Sequence, residues 1–223
     1  MKRIFLLLAI AMLALLSVAC ANDTTSNTTK QAPQIAAKTT YTNSLAGKKI
    51  LVAYFSATNN TKRVAEEIAQ ATGADIYRIE AAQSYSANPY DDKDRIQKEA
   101  YENLRPEVKA PLPASEMAKY DVIFVGSPIW WHQPAMVVCT FLESYDLSGK
   151  TVVPFFTYGA RSYLNESMQR IYKSTPNSVH VPASLPKDIE PDDIQQSQND
   201  DDGIIMPADV GNIDAWLKVL QLK

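Results

Sequence analysis

Residues 49–61 read KILVAYFSATNNT, an apolar run that stops at six residues, Ser56–Thr61, five of which are Ser, Thr or Asn. Lys49–Phe55 predicts a buried strand, and Thr61–Ala71 (TKRVAEEIAQA) predicts a helix. The loop between them offers hydroxyls, side-chain amides and backbone N–H groups at a helix N-terminus. Such a loop suits a phosphate dianion, because the unpaired N–H groups and the helix dipole both point at the anion. Neither the Gly-x4-Gly-Lys loop of nucleotide triphosphatases nor the Gly-x-Gly-x-x-Gly dinucleotide fingerprint is present.

Outward from this stretch, strands and helices alternate. Asp75–Ile79, Tyr120–Gly126 and Thr151–Thr157 predict strands; Val179–Val181 predicts a last one, with Gly203–Met206 as a second part of it. Helices are expected within the polar connection Asp91–Leu104, then over Pro134–Ser144, Ser162–Tyr172 and Asp209–Leu220. In the last, Val210, Ile213, Trp216, Leu217 and Leu220 share one face. Apolar strands alternating with helices imply an α/β fold with a parallel sheet covered on both faces. Ligands of such sheets sit beyond the carboxyl ends of the strands, at the switch point. Three loops lie there: Ser56–Thr61, Gly126–Pro134 and Phe156–Arg161.

Gly126–Pro134 reads GSPIWWHQP. Pro128 and Pro134 restrict the backbone around two adjacent tryptophans, and a held indole is a stacking surface for another flat ring. One of the two is expected to serve a ligand even if the other packs beneath the loop. Phe156–Arg161 holds Tyr158, which can present its ring, and Gly159, which permits a turn.

Together these residues resemble the flavodoxin family. Ser56-Ala57-Thr58-Asn59-Asn60-Thr61 is similar to its phosphate motif Thr/Ser-x-Thr-Gly-Asn-Thr, with Asn59 in place of Gly. Tyr120–Ser148 is similar to a bacterial subfamily marked by Gly-x-Pro-Ile-Trp-Trp. The resemblance implies a doubly wound flavodoxin-like fold, a five-stranded parallel sheet of order 2-1-3-4-5 with helices on both faces, and FMN as cofactor. Carried over position by position, Ser56, Thr58, Asn59, Asn60 and Thr61 hold the FMN phosphate. Pro128, Ile129, Trp130 and Trp131 line one side of the ring, and Thr157, Tyr158 and Gly159 the other. The chain departs from the subfamily at His132, where Gly is common, and at Ala160 and Arg161, where Gly or Ser is usual. Asn59 is compatible with the motif, since Asn tolerates left-handed backbone angles. His132 is expected to face solvent, and Arg161 either favours an anionic reduced flavin or lies in solvent.

The ends of the chain add a cellular expectation. Lys2 and Arg3 precede the apolar run Ile4–Leu16 and then Ser17-Val18-Ala19-Cys20, the pattern of an export signal. It resembles a lipobox with Cys20 as the lipidated residue, which divides the chain into a signal (1–20), a polar tether (21–47) and one folded domain (48–223). The tether has almost no large apolar residues to offset the entropy of ordering it. Removing Lys2 and Arg3 leaves 20 basic residues against 25 acidic, and a mildly acidic chain argues against nucleic acid as a partner. Cys139 falls in an apolar helical pattern and reads as core, with no metal or disulfide partner. The acidic run Lys187–Asp202 reads as a solvated loop.

The leading expectation is an exported, membrane-tethered electron carrier that serves a redox partner protein or a small electron acceptor. Stacked Trp and anionic surroundings would disfavour a doubly reduced flavin and so favour one-electron transfer. The alternatives are an FMN-dependent NAD(P)H:quinone-type oxidoreductase and a lipoprotein that uses the same scaffold without flavin.

Overall fold

Five consecutive buried residues, Ile50–Tyr54, form the central strand β1 of a computed structural model that describes residues 44–183 and 204–223. The signal, most of the tether and the acidic run lie outside the described residues. β1 pairs in parallel with β2 (Asp75–Arg78) on one side and with β3 (Val122–Trp130) on the other. Beyond β3 come β5 (Thr151–Thr157) and β6 (Val179–His180), also parallel. The order is therefore β2-β1-β3-β5-β6, with a two-residue strand β4 (Gln133–Pro134) hydrogen-bonded to β3 off the main path. This is the expected doubly wound order with one added stub.

The helices follow from where apolar residues fall. α1 (Asn60–Thr72) turns Thr61, Ala65 and Ile68 inward and ends at Gly73, whose φ of 67° suits a residue without a side chain. α2 (Lys93–Tyr101) and the short α3 (Ala114–Met117) cross from β2 to β3. α4 (Met136–Glu143) is almost wholly buried, Cys139 included, and α5 (Leu164–Ser174) packs against it. Right-handed crossovers that run one way from β1 to β2 and the other way from β2 through β3 and β5 to β6 put α1 on one face and α4 and α5 on the other. Phe124, Phe155, Ile123, Val152 and Val153 are fully buried between these layers.

Two expectations needed correction. The segment after Gly126 is not an open loop, because β3 continues to Trp130. β1 ends opposite Gly126, but β5 goes on pairing, Ser127 with Phe156 and Pro128 with Thr157. The chain then reverses through Trp131 and His132, at φ 48° and 66°, so that Ile129 faces Pro134 and Trp130 faces Gln133. Two successive positive-φ residues are the backbone of a tight hairpin whose twist matches its strands. Buried Ser127 fixes its base, accepting from the Ala135 N–H at 2.9 Å and donating to the Pro128 carbonyl at 2.8 Å.

The closing helix is also two helices, α6 (Pro207–Val210) and α7 (Ile213–Val219). Gly211, at φ 80°, ends the first, and the Asn212 side chain accepts from the Ala215 N–H at 2.7 Å to start the second. The expected apolar face survives: Ile213, Trp216 and Leu217 are buried, with Trp216 donating to the Ile205 carbonyl. Residues 204–206 form no strand, and Gly203 lies outside the described residues.

At Gly126 a Cβ would stand 2.3 Å from the Phe155 ring. Gly126→Ala should therefore lower the unfolding free energy by about 1–3 kcal/mol through overpacking. Urea titration would show it, and Phe155→Leu in that background should return part of the loss. An alanine variant as stable as its parent would contradict this fit.

Candidate functional site

The loop from Ser56 to Thr61 meets α1 at Asn59, whose φ of 65° lies in the left-handed region that Asn tolerates. No side chain caps α1 and no acidic residue stands in its first turn. Its first N–H groups thus keep their donor capacity and the positive end of the dipole is not neutralised. The Asn60 amide donates to the Thr58 hydroxyl at 3.3 Å, which holds both side chains over this helix end. Buried Thr61 shares a 2.8 Å hydroxyl–hydroxyl bond with Thr157, tying this loop to the end of β5. Ser56 is buried, and its carbonyl accepts from Arg78 at 3.2 Å.

A cleft of about 740 Å³ opens beside this helix end, within the size range of small-ligand sites. Thr58, Asn60, Pro128, Ile129, Trp130, Trp131, Thr157, Tyr158 and Gly159 all line it. Ser56, Asn59 and Thr61, also expected at the cofactor, are not in the lining. Ser56 and Thr61 shape the loop from behind through their buried bonds, and Asn59 does so through its backbone angle.

The two tryptophans divide the labour. Trp130 meets Phe55 and Tyr85 edge to face, each at 5.3 Å between ring centres. Tyr85 in turn donates to Glu99 at 2.6 Å and lies under the Arg95 guanidinium at 4.0 Å, while Arg95 pairs with Glu99 at 2.7 Å. Glu99 is buried, so this charge pair is a rigid backing for the Trp130 ring rather than a surface contact. Trp131 is 38 % exposed, meets Tyr101 edge-on at 6.2 Å, and is the more open of the two rings that line the cleft.

His132 and Arg161 are half-buried, each held by contacts within the protein. The His132 ring stacks on Tyr163 at 3.6 Å and 13°. Arg161 bonds Asp209 at 2.6 Å, the Ile204 carbonyl and the Tyr158 hydroxyl, so its charge fastens the stretch before and within α6 to the Tyr158 turn. Neither residue lines the main cleft. The expected anionic surroundings are corrected too: the described lining contains Arg63 and Lys93 and no carboxylate.

Sequence reasoning missed three further parts of the wall. Arg63 and Val64 follow Asn60 by three and four positions on α1, a spacing that puts them on the same helix face. Pro89, Tyr90, Lys93 and Ile96 come from the connection after β2 and from α2, and Pro207 and Ala208 from α6. Those segments lie far from the loops in the chain and carry no motif. Cys139 has no part in the site: burial pushes its thiol up to about 11, away from thiolate chemistry.

Burial also holds His132 and His180 below the ordinary imidazole value of 6.5. The unfolded chain takes up these protons before the folded one does. The associated stability is therefore complete above about pH 6.5 and is lost as pH falls through the depressed native values. Urea titrations at descending pH should show this decline. His132→Asn, which keeps a residue tolerant of positive φ, should flatten it; an unaltered slope would mean that His132 does not contribute.

Comparison with known proteins places this geometry among relatives. The family model described as Flavodoxin matches residues 49–197. A protein of Bacteroides eggerthii DSM 20697 assigned as a flavoprotein is 32% identical, with 79% of this chain and 99% of that chain covered and a TM-score of 0.56. One of Bacteroides uniformis ATCC 8492, assigned likewise, is 36% identical over 60% of this chain and 86% of that chain, with a TM-score of 0.54. A flavoprotein of Lactobacillus acidophilus NCFM, solved in complex with FMN, shares the fold at 23% identity over 60% of this chain and 90% of that chain, with a TM-score of 0.51. Among curated proteins, none matches the chain.

Proposed function

The chain belongs to the flavodoxin family, and on that premise we propose that it is an FMN-binding protein that transfers electrons outside the cytoplasm. The observation that carries the cofactor is one cleft joining three features: the uncapped N-terminus of α1 with Thr58 and Asn60, the open ring of Trp131, and the Tyr158–Gly159 turn. A phosphate donor set and a flat apolar slot at that spacing suit a phosphorylated ring system. When bound, FMN supplies one- and two-electron chemistry. The chain's own residues bind and orient. Thr58, Asn60 and the backbone N–H groups of the loop hold the phosphate, with Ser56, Asn59 and Thr61 setting the loop's shape. Pro128, Ile129, Trp130 and Trp131 form one side of the ring slot, and Thr157, Tyr158 and Gly159 the other. Glu99, Arg95 and Tyr85 keep Trp130 from turning.

A second reading, an FMN-dependent NAD(P)H:quinone-type oxidoreductase, is favoured by one observation. Cations without carboxylates in the lining favour negative charge in the cleft, which draws the two reduction steps together in potential. The carrier reading remains first because the described cleft holds no second nucleotide motif.

Purified full chain incubated with excess FMN should stay yellow after desalting. Thr58→Val should weaken FMN binding by about 1.5–3 kcal/mol, the worth of a charge-assisted hydrogen bond. In a potentiometric titration of the same sample, two well-separated midpoints support the carrier. A single two-electron midpoint, with rapid NAD(P)H oxidation when a quinone is present, supports the oxidoreductase. A protein that takes up no FMN would contradict both and leave a lipoprotein that binds something else.

The cellular half of the proposal rests on the sequence around Cys20, which predicts a lipid anchor on the outer side of a membrane. Cys20→Ser should move the protein from the membrane fraction to the soluble one. Retention of the variant in washed membranes would count against the anchor.

A further inference from the structure

One wall of the cleft is unlike the rest of the molecule. Acidic residues outnumber basic ones in this chain, 25 to 22. Yet the described cleft lining contains two cations, Arg63 on α1 and Lys93 on α2, and no Asp or Glu. Among the described residues neither cation has an ion-pair partner, whereas their neighbours do: Lys62 pairs with Glu66 at 3.6 Å and Arg95 with Glu99 at 2.7 Å. The two acidic residues that precede Lys93 are engaged elsewhere. Asp91 accepts from Ser86 and Asn88, each at 3.0 Å, and Asp92 accepts from the Ser86 N–H. Tyr90 lines the same cleft and is nonetheless 82 % exposed.

These features converge on one ligand chemistry. Unpaired cations in a concave wall focus a positive field into the recess. An exposed phenol ring and the open Trp131 ring supply flat apolar surface in the same recess. We propose that Arg63, Lys93 and Tyr90 form a recognition subsite for a planar anionic small molecule, an aryl sulfonate or aryl carboxylate of one or two fused rings, which approaches the flavin site. The proposal rests on the FMN reading and adds to it the class of the partner molecule. The phosphate of FMN is already served by the hydroxyls, the amide and the open N–H groups at the start of α1. The subsite is a small-molecule one because the charge and the ring surface lie inside one cleft and not across an outer face.

The test uses full-length, FMN-loaded protein and two redox-inert probes, naphthalene-2-sulfonate and its uncharged analogue 2-naphthol, titrated by calorimetry. At low salt the sulfonate should bind about five- to tenfold more tightly than the naphthol, the range expected for two part-exposed charge contacts. Raising salt to about 0.5 M should erase that preference in the parent protein without any substitution. The Arg63→Gln/Lys93→Gln variant should lose it at low salt while its FMN affinity stays within about twofold. Tyr90→Ala should weaken both probes alike. No sulfonate binding, equal affinity for the two probes, or a preference retained in the double variant would overturn the proposal. A fall in FMN affinity of the double variant, matching its loss of preference, would do so as well and would assign the cations to the FMN phosphate. Failure of the parent to take up FMN is visible as missing colour before any probe is added, and it removes the premise together with the proposal.

Discussion

Phe155 occupies the space that any side chain at position 126 would need, and the whole site hangs on that fit. With no Cβ at Gly126, β3 and β5 lie in register from Val122–Thr151 to Pro128–Thr157. β1 stops opposite Gly126, so the centre of the sheet ends in a step. On the low side of the step the chain drops into the Ser56–Thr61 loop and the open end of α1. On the high side β3 and β5 carry Trp131 and Tyr158 past it. The uncapped start of α1 and the rings of Trp131 and Tyr158 are thereby set side by side around one cleft.

Polar contacts then lock the parts together. The Thr61–Thr157 hydroxyl bond ties the low side of the step to the high side. Glu99, Arg95 and Tyr85 brace Trp130 from behind, so that the adjacent Trp131 is free to face the cleft. Arg161, which the sequence places next to the ring loop, spends its charge on Asp209 and the Ile204 carbonyl. The charge that does reach the cleft comes from Arg63 and Lys93. The electrostatic character of the site is thus opposite to that of the chain as a whole.

Much of this was legible beforehand. Apolar runs of strand length, separated by helical patterns, dictate a parallel sheet, and Thr151–Thr157 was bounded to the residue. The loop leading into the uncapped start of α1 was legible because hydroxyl and amide residues directly after a buried strand mark a helix beginning. The hairpin at Trp131–His132 was hidden, because tight turns normally announce themselves with Gly or Asn and neither residue is present. The break in the closing helix did have a signal, Gly211 followed by Asn212, which the strong apolar face of α7 masked.

The sequence by itself determined the order of strands and helices, the hydroxyl-rich loop before α1 and the pair of adjacent tryptophans. Each of these follows from neighbouring residues or a short period. Only the tertiary structure decided which of the two cleft-lining tryptophans is braced from behind, what Arg161 and His132 pack against, and that the connection before α2 and α2 itself supply a wall with Tyr90 and Lys93. Those outcomes depend on packing between residues about 30 to 50 positions apart, as in the His132–Tyr163, Tyr85–Trp130 and Arg161–Asp209 pairs. No local pattern in either partner of such a pair specifies the other.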